Sequence, residues 1–86
     1  MENLRIIPLA LAFGAVWALG VLTAGWMAAF GLGVAFVEMA ASFYIGYGPS
    51  FLGALIGALW AFFDAAIAGA LIAVIYNVAA RAPKAA

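Results

Sequence analysis

The chain has 86 residues, 72% of them hydrophobic and 7% charged, with a formal net charge of zero. A chain this short has too little interior to hide so much apolar surface from water, which excludes an ordinary soluble domain and makes the lipid bilayer its expected solvent. The absence of Cys and His removes thiol chemistry, structural zinc and imidazole switching, and no basic stripe offers itself to nucleic acid. Three acids and a few hydroxyls are a poor supply for catalysis, so the expectation is a protein that is not an enzyme and carries no cofactor or metal.

Arg5 precedes an apolar run that resembles the core of a signal peptide, but the run continues far beyond such a core and is read as a retained transmembrane helix. Pro8 fits the first turn of a helix, where its missing N–H costs nothing, and residues 8–30 carry no formal charge. Gly31 and Gly33 form a weak point, after which residues 34–43 resume as a shorter apolar piece carrying Glu38. An unbroken helix over 8–43 would be roughly 54 Å long, so a bend or break is predicted between Gly31 and Gly33, or a helix that projects beyond the membrane. Residues 44–50 read as the turn: Gly46 and Gly48 supply backbone freedom, Pro49 sets the next helix, and Tyr44 and Tyr47 suit the headgroup level. A second helix over 51–78 and a short tail over 79–86 complete an all-α transmembrane helical hairpin, a single integral membrane domain. Arg5, Arg81 and Lys84 flank an uncharged turn, so the positive-inside rule places both termini in the cytoplasm.

Asp64 stands near the middle of an apolar run over 51–76, which makes roughly 39 Å of helix against a hydrocarbon core of about 30 Å. Its carboxyl is expected near the membrane midplane, where an acid costs at least about 2.5 to 3.5 kcal/mol on insertion scales and calls for a partner. Thr23 and the tryptophan indoles are the other polar side chains expected at depth, so that partner is sought on another chain, or in water, a proton or a cation. Three roles stand open: an acid hydrogen-bonded to a neighbouring helix that only fixes packing, an ion or proton site, or a pairing with a base of another protein. Glu38, past the end of the first span, reads as a solvated carboxylate at the outer interface or as a pore-mouth acid.

At about 100° per residue, Gly53, Gly57, Trp60, Asp64, Ala68 and Leu71 share a face of the second helix, and Gly14, Ala18, Val21, Gly25 and Ala28 share one of the first. Small faces let backbones approach closely in lipid, either within the hairpin or between copies of it. Trp17, Trp26 and Trp60 are expected to fill interhelical space or to face lipid.

Ala35-Phe-Val-Glu-Met39, Ser42-Phe-Tyr-Ile-Gly-Tyr-Gly-Pro-Ser-Phe51, Gly53-Ala-Leu-Ile-Gly-Ala-Leu-Trp-Ala-Phe-Phe-Asp64 and Tyr76-Asn77 resemble a family of small prokaryotic two-helix membrane proteins commonly labelled bacteriophage holins. The resemblance implies a hairpin that oligomerises in the prokaryotic inner membrane, with Tyr47, Pro49, Gly57, Trp60 and Asp64 as motif positions. The chain departs from many holins in its tail, where Arg81 and Lys84 stand in place of a markedly basic run. Beside a self-associating pore or ion-conducting assembly stands the alternative of a non-catalytic accessory subunit in a larger membrane complex. A third likeness, to the proteolipid ring of rotary ATPases, lacks the polar loop those hairpins carry.

Overall fold

A computed structural model describes residues 4–81; Lys84 and the rest of the tail over 82–86 lie outside them. Among the described residues the regular structure is entirely helical: α1 (Ile6–Ala29), α2 (Val34–Ala41) and α3 (Phe51–Arg81). Helix α1 begins ahead of Pro8, which still falls in the first turn, where no N–H needs an intrahelical acceptor. Helix α3 runs past the expected end at 78 to Arg81, whose charge suits the negative end of the helix dipole. Both α1 and α3 are long and apolar enough to cross a membrane.

These two helices pack antiparallel. Leu4 meets Asn77 at one end, and the contacts then pass through Ala10 with Gly69 and Gly14 with Phe62 to Gly25 with Ala54. A Cβ built on Gly25 would stand 2.7 Å from Ala54 Cβ, and one on Gly14 2.9 Å from the Phe62 carbonyl oxygen, so the backbones approach as closely as missing side chains allow. Gly14, Val21, Gly25 and Ala28 are buried as their spacing predicts, with Ala18 half-buried, while large side chains such as Ile7, Val16, Leu19, Phe63, Ile67 and Ile75 face outward. Small inside and large outside suits a solvent of acyl chains, in which close packing rather than water exclusion holds helices together.

On α3 the buried row differs from the expected face. It advances in four-residue steps through Gly53, Gly57 and Ala61, and again through Gly69, Ala73 and Asn77, following a slanted ridge instead of a straight 3.6-residue stripe. Trp60, Asp64, Ala68 and Leu71 therefore lie on the outside of the hairpin. The GxxxG pair is used within the chain: a Cβ on Gly57 would run into the Tyr47 ring, and one on Gly53 would stand 2.8 Å from Ser50 Oγ.

The apolar run over 8–43 is broken at Gly31 and Gly33, where the sequence predicts a bend or break, both left-handed at φ 88° and 69°, and the chain turns back on itself there. Helix α2 packs its buried Val37 and Ala40 with Val21 and Ala28 of α1, and Phe36 makes an edge contact with the Trp17 ring. Tyr44 then reaches Trp17, roughly 18 Å of helix below the end of α1. From there the chain climbs beside α3: Ile45 meets Trp60, Gly46 meets Ile56, Tyr47 meets Gly57 and Gly48 meets Gly53. Residues 34–50 thus form a re-entrant segment against the hairpin, and the outer turn expected at 44–50 is instead the inner end and the rising limb of that segment. Tyr44 is correspondingly buried at helix mid-depth, level with Asp64, while Tyr47 is buried nearer the end of the hairpin against Gly25 and Gly57. Irregular backbone is tolerated at such depth where protein covers it, and Gly46, at φ 93° with Ile56 packed against it, meets both demands. Pro49 keeps its expected place just ahead of α3, where Ser50 Oγ accepts from the Gly53 N–H at 2.9 Å and caps the helix.

Two measurements check this path. Gly57→Ala should destabilise the protein by roughly 1 to 3 kcal/mol in reversible detergent unfolding because its Cβ meets Tyr47, whereas Gly20→Ala, with nothing within 4 Å, should be near neutral. In vesicles, a thiol placed by Ile45→Cys should resist a membrane-impermeant reagent from both sides while one placed by Ser50→Cys reacts. Equal reactivity of the two would reject the re-entrant path.

Candidate functional site

The site is built where α1, the re-entrant segment and α3 meet at mid-height. Asp64 lies midway between Phe51, whose ring stacks on Trp26 at 5.5 Å, and Asn77, which clasps Leu4 at the opposite end. That end is closed by a reciprocal pair: the Leu4 N–H donates to Asn77 Oδ1 at 2.8 Å and Asn77 Nδ2 donates to the Leu4 carbonyl at 3.0 Å.

Asp64 has a partner in its own chain, contrary to expectation. The Tyr44 hydroxyl donates to Asp64 Oδ2 at 2.6 Å, and the Trp17 indole N–H donates to the Tyr44 oxygen at 3.0 Å. An indole N–H can only donate, so the Tyr44 oxygen accepts from Trp17 and keeps its own proton for the carboxyl. The relay joins three elements, and Tyr44 is the link that sequence reasoning placed elsewhere. No local signal in the sequence separates Tyr44 from Tyr47 for this role.

Around this relay the neighbouring polar groups are internally bonded. The Tyr47 hydroxyl donates to the Val21 carbonyl at 2.8 Å, the Trp60 indole to the Ile45 carbonyl at 2.8 Å, and Thr23 Oγ1 to the Leu19 carbonyl at 2.8 Å. No buried side-chain nitrogen or oxygen among the described residues lacks a hydrogen-bond partner. Asp64 itself is exposed on the flank of the hairpin, between two grooves whose common walls are Phe43 and Tyr44. Trp60 and Ala68, on its own helix, line one groove each. Glu38 is exposed on α2 and does not join the Asp64 cluster. Gly14, Gly25, Gly53 and Gly57 shape the contacts that hold the cluster and contribute no polar group to it.

Among the described residues no group of three or more His, Cys, Asp or Glu is placed to hold a metal ion. What the arrangement offers is a carboxyl at the middle of an apolar assembly, steered by one donor and open on one side. No family model matches the chain, and neither a curated protein nor a solved structure matches it.

Tyr44→Phe removes the donor to Asp64 and should loosen the inner end of the re-entrant segment. In that background a thiol at position 45 should become more reactive towards a small permeant reagent than in the unaltered segment. An unchanged rate would mean that packing alone holds the segment.

Proposed function

We propose that this chain is a small integral membrane protein that self-associates in the bilayer, forming a holin-like or ion-conducting assembly around Asp64. One observation carries the reading: Asp64 is exposed on the flank of a membrane-length apolar helix, about 20 Å from either end of the hairpin. A carboxyl facing acyl chains at that depth costs several kcal/mol, and an assembly that turns it towards a hydrated centre or another subunit removes the cost. Repeated copies would bring their Asp64 groups around a shared path for protons or cations. The end bearing Arg5 and Arg81 faces the cytoplasm of a prokaryotic inner membrane in this reading, because the opposite end carries no cation.

A second reading is a non-catalytic accessory subunit whose Asp64 pairs with a base of a larger complex. It is favoured by the use of Gly14, Gly25, Gly57 and Gly69 inside the hairpin, which leaves those glycines unable to mediate close packing between copies.

The test joins the mass of the detergent-solubilised protein with flux in liposomes. The oligomeric reading expects a defined multimer that passes protons or monovalent cations, and Asp64→Asn, which keeps shape and one acceptor oxygen, should retain the multimer and abolish flux. A monomer without flux would sink it. Release of the Asn variant from a native complex would favour the accessory subunit.

A further inference from the structure

The grooves beside Asp64 have a chemistry that points to a ligand. The larger, about 500 Å³ and open to the side, is walled by Phe13, Trp17, Phe43, Tyr44 and Ala68 with Asp64 at its edge. The smaller, about 340 Å³, shares Phe43, Tyr44 and Asp64 and adds Trp60. Both lie within the span of about 300 to 1,000 Å³ usual for small-molecule sites.

The polar groups at this place are already oriented. Trp17 has given its N–H to Tyr44, and Tyr44 has given its proton to Asp64. An incoming molecule therefore meets acceptors and aromatic side chains, namely the carboxyl oxygens and the rings of Phe13, Trp17 and Phe43, while the Trp17 and Tyr44 donors are already committed elsewhere. Aromatic faces and a carboxyl both attract positive charge, most strongly where water is excluded. A small, strongly hydrated metal ion would need several oxygen ligands, whereas a large organic cation needs only a counter-charge and apolar walls. Arg5 and Arg81 lie towards the clasped end of the hairpin, so neither fills this role for Asp64.

We propose that the larger groove binds a lipophilic organic cation of the ammonium or phosphonium class, with Asp64 as counter-charge and Phe13, Trp17 and Phe43 as its walls. The inference rests on the membrane placement of Asp64 given above, and it stands apart from whether the assembly conducts.

The probe is tetraphenylphosphonium, applied to the full chain in zwitterionic phosphatidylcholine nanodiscs and followed by equilibrium dialysis. Saturable binding is expected, with uncharged triphenylphosphine oxide unable to compete. Asp64→Asn should lower affinity about tenfold or more by removing the counter-charge. Ala68→Phe, on the exposed side of α3, should fill the groove and abolish binding while the acid remains; circular dichroism checks that both variants stay folded. Unsaturable uptake equal in the native and Asn proteins, competition by the neutral compound, or undiminished binding in Ala68→Phe would each overturn the proposal. So would binding by the isolated chain that vanishes in its native assembly, since a protein contact would then own the groove. Mass measured on the same sample separates the two readings: an oligomer that ignores the probe fails this inference alone, and a monomer that binds it fails the assembly alone.

Discussion

A bilayer offers no water to accept a hydrogen bond, so a polar group placed between membrane-length apolar helices calls for a partner in protein, and the contacts around Asp64 are organised by that demand. Tyr47 and Trp60 meet it with backbone carbonyls, Thr23 with its own helix, and Trp17 and Tyr44 with one another. Asp64 meets it in part, through Tyr44, and presents the remainder of its carboxyl on the outside of the hairpin.

Supplying the donor required bringing a non-helical stretch of chain to the level of Asp64. The glycine contacts make this possible in two ways. Along most of α1 and α3 they draw the backbones together, and at Gly25 and Gly57 they leave room for the Tyr47 ring to enter beside the helices. Tyr47 then binds the Val21 carbonyl, which holds the rising limb in place above Tyr44. Stability and site are thus coupled through the same small residues: a side chain added at Gly57 displaces Tyr47, and with it the segment that presents Tyr44.

Much of the architecture could be read from sequence because its causes are local. A long apolar run gave each spanning helix, the excess length of residues 8–43 called for a bend or break, and the closely spaced Gly31 and Gly33 offered a weak point for it. Asp64 stood out by depth alone. The re-entrant path was hidden because the interface preference of tyrosine favoured the headgroup level for Tyr44 and Tyr47, and nothing local says that a hydroxyl will instead travel to a carboxyl twenty residues on. The packing row of α3 was misjudged for a geometric reason: a straight 3.6-residue projection groups Trp60, Asp64 and Ala68 with Gly57, whereas the slanted contact selects Ala61, Gly69, Ala73 and Asn77. The four-residue spacing of those small residues was the clue that the projection averaged away.

The central claim is that the Tyr44–Asp64 hydrogen bond ties the re-entrant segment to α3, and a double-mutant cycle in reversible bicelle unfolding measures that bond directly. Tyr44→Phe, Asp64→Ala and the combined variant should yield a coupling energy of about 0.6 to 2 kcal/mol, the range of interhelical hydrogen bonds in membranes. Additive effects, agreeing within about 0.3 to 0.5 kcal/mol, would contradict the account and leave Asp64 without its anchor in the chain.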